Sequence, residues 1–277
     1  MRTEGSLIAF TLLLEWGVGT FLLARIALPL DGGAGEVIAL AGGAGSAVAL
    51  GLSLLHLGVP SRAFLALRSW RTSPLSREIA CALLFLIAWG AWAVASPRWL
   101  GNAAWLPARE LVGWIAAVLG LATVASVGAV YKATCLDGWS RSFTLVAHVA
   151  TALLLGATTV AAVAALFCPE APGLRLILWL AAAAEAVLLA GLPSAVHSLR
   201  SGAPMRRWTG ARMPPTWIPA LATRTALLLV ASALTLWMLI GTEPTRASAA
   251  IALGVVSIAT ELFGRWLFYS TAVPRLP

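Results

Sequence analysis

The sequence predicts an all-α, polytopic membrane helix bundle of about eight transmembrane helices, and three observations carry that expectation. Sixty percent of the 277 residues are hydrophobic, against roughly 45–50% in an ordinary soluble domain, and mean hydropathy is +0.89. The apolar residues fall into runs of about the 20 residues that a bilayer requires. Charged residues make up only 11% of the chain and gather in the links between the runs. The formal charge of +8 does not point to nucleic acid, because the arginines sit in short links and form no continuous basic face. Lipid headgroups and an acidic partner suit it better.

Taken in order, residues 6–28 form the first span, interrupted by Glu15. That run is too long for the apolar part of a cleaved signal peptide and is expected to stay as a helix. The second span, 36–56, is rich in glycine, and Gly42, Gly43, Gly45 and Gly51 would let helix backbones approach closely in lipid. The third, 78–96, follows Ser73-Pro74, a capping hydroxyl with proline in the first turn. Glu78 is then expected in the first turn, where the helix dipole or Arg77 would suffice to explain it. The fourth span is 109–131. The fifth, 142–167, carries His148 near its start, and the sixth, 173–197, carries Glu185 near its middle. A basic, proline-stiffened loop covers 198–224, and spans 222–241 and 248–269 complete a single integral membrane domain over 1–277. Gly58-Val-Pro-Ser is echoed by Gly191-Leu-Pro-Ser, which would suit two four-helix halves in the same orientation, although chance also supplies four-residue echoes.

The densest chemistry lies between the second and third spans, over 56–79. His56, Arg62, Arg68, Arg71, Arg77 and Glu78 fall within it. His56 closes one helix and Glu78 opens the next, so a hairpin of antiparallel spans brings imidazole and carboxylate to one membrane face. Here the chain resembles a known family. His56-Leu57-Gly58, Pro60, Arg62-Ala63 and Leu75-Ser76-Arg77-Glu78-Ile79, with Glu261-Leu-Phe-Gly-Arg265 and Leu267-Phe268-Tyr269 near the end, are similar to the membrane-anchor family of dimethyl sulfoxide reductase.

That resemblance implies a function. Such anchors hold a molybdopterin catalytic subunit through an iron–sulfur subunit and take electrons from a membrane quinol, menaquinone here, in the cytoplasmic membrane of a prokaryote. On this reading His56 and Glu78 accept protons or hydrogen-bond the headgroup, which quinol oxidation requires. Arg62 and Arg77 hold the headgroup oxygen or the partner, and Arg68, Arg71 and Arg141 belong to the docking surface. The direction of flow stays open, since quinone-reducing sulfite dehydrogenases look like the same architecture run in reverse. Two rivals also stand: a secondary transporter using Glu15, Glu185 and Glu261 as an ion path, and a passive scaffold.

Cysteines and histidines restrict the cofactors. Cys81, Cys135 and Cys168 are widely separated, so the chain is expected to hold no iron–sulfur cluster and no molybdenum. Only His56, His148 and His197 are available for haem; the first and last fall at helix ends, and no haem is expected. The basic residues divide fourteen to five between the two sides, the larger group lying at the termini and on the links after spans two, four and six. This places both termini and the 56–79 link in the cytoplasm. A docking surface made basic for an acidic partner would defeat that rule.

Overall fold

The computed structural model describes residues 2–30, 33–54, 65, 67–96, 105–134, 142–168, 171, 173–193, 196, 216–241 and 246–270. Eight long helices run through them: α1 (Arg2–Ala27), α2 (Ala34–Leu54), α3 (Pro74–Val94), α4 (Leu106–Ala133), α5 (Ser142–Phe167), α6 (Leu174–Ala190), α7 (Trp217–Ile240) and α8 (Arg246–Ser270). No strand occurs among the described residues. Seven of the helices are long and apolar enough to cross a membrane, and the chain is a polytopic helical membrane protein.

Six of the helices begin before the expected spans, and in α3 and α4 proline in the first turn accompanies the earlier start. The Ser73 side chain accepts from the Ser76 amide and Pro74 opens α3; proline also sits in the first turn of α4. One consequence is that Glu78 falls in the second turn of α3, not in the first as expected, and is not one of the exposed donors' immediate neighbours at the helix end. The sixth span is shorter than expected. α6 has 17 residues, about 26 Å of helix, and a turn at Gly191 interrupts it ahead of Pro193.

Packing divides the helices into two rings of four. In the first half α1 packs on α2, α2 on α3, α3 on α4 and α4 back on α1; α5, α6, α7 and α8 close the second ring in the same cyclic order. The halves meet chiefly through α1 against α5, with α4 on α5 and α1 on α8 in support. Because each half has an even number of spans, both have the same orientation, and the expected two halves are seen as a packing pattern. Of the echoed tetrapeptides, 58–61 lies outside the described residues.

Glycine sets the closest approaches. A Cβ on Gly156 would strike the backbone of Gly19 and Thr20, and one on Gly19 would strike Ala152, so the two halves touch backbone to backbone. Gly42 likewise meets Gly17, while Gly43 receives the Trp89 ring and Gly45 the Trp16 ring; only Gly51 of the expected set faces open space. Outward positions are apolar and exposed, among them Val48, Ile87, Val118, Leu229 and Val255, as lipid-facing side chains should be.

Candidate functional site

The ends of α2, α4, α6 and α8 and the starts of α1, α3, α5 and α7 share one face, called the near face below. On it the link before α3 finishes in a short 3-10 turn, Leu67–Ser69. Arg68 and Arg71 are exposed, and the Arg71 guanidinium lies 5.7 Å from the Trp70 ring centroid. Arg77 is exposed too, and it donates to the carbonyls of Trp70 (3.1 Å) and Arg71 (2.8 Å). It therefore fastens the end of the link to α3 and does not pair with Glu78. His56, Arg62 and Arg141 lie outside the described residues.

Glu78 turns inward and is 9% exposed. No hydrogen bond from a described residue reaches its carboxylate, and a buried carboxylate in that condition carries a substantial desolvation cost. Nothing in its immediate packing explains it as a structural ion pair.

Behind it, toward the seam between the halves, lies a polar cluster built from helical spacing. Thr11 and Glu15 are four residues apart on α1, His148 and Thr151 three apart on α5, and Glu261, Arg265 and Tyr269 successive fours on α8, so each set occupies one helix face. Arg265 Nη2 donates to both Glu15 oxygens at 2.5 Å and Nη1 donates to His148 Nε2 at 3.1 Å. A guanidinium can only donate. Nε2 is therefore the acceptor, and the hydrogen on Nδ1 is donated to Glu15, 2.5 Å away. Glu261 accepts from Thr151 (2.7 Å) and from Arg224 (3.3 Å). Two carboxylates, two guanidinium groups and a neutral imidazole sum to zero charge, which is what makes the cluster tolerable inside a bilayer.

Aromatic rings cover the cluster on its near side. Tyr131, in the last turn of α4, stacks parallel on His148 with centroids 5.6 Å apart. Phe268 stands edge-on to Tyr131, His148 and Tyr269. The hydroxyls of Tyr131 and Tyr269 share a hydrogen bond of 2.7 Å, and Tyr269 donates onward to Thr11 Oγ1 at 3.4 Å.

A second buried ion pair occupies the far face. Arg109, opening α4, bonds Glu36 at the start of α2 at 2.5 Å, the Leu30 carbonyl at 3.0 Å and the Trp92 carbonyl at 3.3 Å, with its guanidinium 4.4 Å from the Trp92 ring centroid. Ser96 donates to the same Glu36 oxygen at 2.5 Å. Arg25 pairs with Glu110 at 2.8 Å. Two of the five basic residues counted on that side are thus engaged by carboxylates, as Arg265 and Arg224 are on the other.

The sequence reading named Glu15 in a rival ion path, Glu261 there and in the family motif, and His148 among the histidines available for haem; it did not pair them with one another, nor Glu36 with Arg109. The four-residue polar stripes on α1 and α8 were the available signal. Both ring nitrogens of His148 are engaged by protein groups. Mid-span Glu185 accepts from Thr235 across α6 and α7 at 2.9 Å. Among the described residues no group of three or more His, Cys, Asp or Glu could hold a metal ion; Cys81 and Cys168 are free thiols. Of the three carboxylates a transporter would use, Glu15 and Glu261 are engaged by arginine, whereas Glu185 Oε2 is buried without a hydrogen-bond partner.

Compared with known families, residues 1–271 match the DMSO reductase anchor subunit (DmsC). A search of curated proteins found no match.

Proposed function

The chain belongs to the DMSO reductase anchor subunit family, and from that premise we propose that it is a quinol-oxidising membrane anchor, with Glu78 at the centre of its quinol site. The observation that carries this reading is the state of Glu78: buried, close to the near face, and without a hydrogen bond from any described residue. Such a group is costly unless a ligand or a proton completes it. A quinol hydroxyl does both, since it donates a hydrogen bond to the carboxylate and then gives up its proton as the ring is oxidised.

His56, two positions beyond the last described residue of α2 in the sequence, is the second proton acceptor or headgroup partner. Arg62 belongs with them by its place in the motif. Arg77 acts through the link, whose end it fastens, so that its effect on the headgroup is indirect. Arg68, Arg71 and Arg141 present positive charge to an acidic iron–sulfur subunit, which joins the anchor to a molybdopterin catalytic subunit. The electrons leave through the clusters of that iron–sulfur subunit, and this chain handles only the protons. Menaquinone is the quinone we propose. Lipids cover the remaining apolar surface.

The near face is proposed to be cytoplasmic, from the distribution of basic residues. A reporter active only in the periplasm should be silent after residue 277 and active near residue 102. The reverse pattern would place the partners outside.

The test of the site uses the membrane-bound complex. Glu78→Gln and His56→Ala should leave the complex assembled and fully active with artificial dyes that reduce the catalytic subunit directly, while quinol-driven turnover falls by about a hundredfold, the scale of a lost general base. Equal loss with dye and quinol would place the defect in assembly, and undiminished quinol turnover would leave a scaffold.

A further inference from the structure

We propose that Glu185 is a second proton-binding site of this chain, a carboxyl group that keeps its proton on Oε2 inside the second half of the bundle and apart from the quinol chemistry. The proposal is independent of the reading of Glu78 given above. Five glutamates are buried among the described residues: Glu15, Glu36, Glu78, Glu185 and Glu261. Arginine meets Glu15, Glu36 and Glu261, and Glu78 belongs to the proposed quinol site. Glu185 is left, 1% exposed and with no basic group paired to it among the described residues. Its Oε1 accepts a hydrogen bond from Thr235 Oγ1 at 2.9 Å, while Oε2 is buried without a hydrogen-bond partner.

Position separates the group from water. Glu185 lies eleven residues in from the start of α6 at Leu174, and Thr235 five in from the end of α7 at Ile240, which is about 16 Å and about 8 Å of helix from the far-face ends. The neighbouring buried positions, Ala181, Ala184 and Leu188 of α6 with Ala231 and Met238 of α7, are apolar. An ionised carboxylate here would have one hydrogen bond and no counter-charge, which a membrane interior makes costly. A proton on Oε2 removes the charge and keeps Thr235 as the donor to the carbonyl oxygen Oε1. Ser232, three residues before Thr235, shares its face of α7 and donates its own hydrogen to the Leu228 carbonyl at 3.0 Å, so its oxygen can still accept.

A metal ion suits the site less well than a proton does. Hard cations take about six or more oxygens, and among the described residues no group of three or more His, Cys, Asp or Glu could hold one. Glu185 thus gives the second half a protonatable carboxyl of its own, as Glu78 gives one to the first. Filling it requires a proton alone, with no electron transferred.

The experiment records infrared spectra of the membrane-bound complex in H2O and D2O, in the region where a protonated carboxyl group absorbs and an ionised one does not. The native complex and Glu78→Gln are expected to share a carboxyl band that Glu185→Gln lacks and that moves to lower frequency in D2O. Thr235→Val removes the donor to Oε1 with little change of shape, so the band should persist there and move to higher frequency. Spectra with no band that depends on Glu185 would overturn the proposal, because the group would then be ionised. A band untouched by Thr235→Val, or one lost in Glu78→Gln and kept in Glu185→Gln, also overturns it by placing the proton elsewhere. So does a band that disappears when sodium replaces potassium in the medium, since a metal cation would then be the ligand.

Discussion

Glu36 and Glu78 are both buried carboxylates of the first four-helix half, near opposite membrane faces, and their surroundings differ in the one respect that matters chemically. Glu36 meets a guanidinium and a hydroxyl, and Arg109 in turn uses its remaining donors on two carbonyls and lays its plane against Trp92. The pair joins the starts of α2 and α4 to the end of α3. Glu78 receives no hydrogen bond from a described residue. Charge burial alone therefore does not identify a site. The distinction lies in whether the protein has already supplied the partner, since a paired buried ion resists change and an unpaired one awaits a proton or a ligand.

The largest expected effect breaks the saturated end. Arg109→Ala strands Glu36 in an apolar setting and should cost about 3–5 kcal/mol, seen as a lowered unfolding midpoint of the detergent-solubilised complex. Quinol turnover per folded complex should stay unchanged. Replacing both partners, Glu36→Gln with Arg109→Met, should recover most of the loss, because no uncompensated charge remains. A double variant as unstable as the single one would show that shape at this corner, not charge, holds the three helices.

Glu78→Gln should behave in the opposite way. Its stability change is expected within about 1 kcal/mol, as for a site with no partner to lose, and its unfolding midpoint should match or slightly exceed that of the native chain while quinol turnover collapses. A large loss of stability would reveal a partner for Glu78 and remove the contrast with Glu36.

The smallest effect belongs to Arg77. Arg77→Ala deletes two exposed hydrogen bonds to the link and should cost about 0.5 kcal/mol. Its functional signature should be a modest rise in the quinol KM, with kcat nearly retained, measured in the same membrane assay. A fall in kcat as deep as that of Glu78→Gln would bring Arg77 to the reacting headgroup itself.

Much of the architecture was legible from residues alone. The apolar runs marked the helices, Ser73-Pro74 marked the start of α3, and the glycines of α2 marked its close packing. Errors fell at the ends, where Glu78 was expected in the first turn of α3 and lies in the second, and where α6 stops short at Gly191. An apolar count reports the bilayer's thickness; a helix end depends on capping groups and prolines that lie outside it. For the candidate site, the link residues were visible because polar side chains are conspicuous in an apolar chain. Tyr131 was not, since a tyrosine at the end of a span reads as an interface anchor until its neighbour is known.

The sequence by itself determined the class of the protein, the number of its helices, the polar stripes along α1 and α8, and the charge difference between its faces. These are properties of composition and of short spacings, fixed by helix geometry and by the cost of placing charge in lipid. Only the tertiary structure decided which stripe meets which. Glu15 and Arg265 are 250 positions apart and Tyr131 and Tyr269 are 138 apart, and each pair joins α8 to a helix of the first half. Whether a buried carboxylate is a rivet or a reactive group depends on such distant partners, and helix periodicity, which reports only which side a residue is on, carries no information about what stands opposite it.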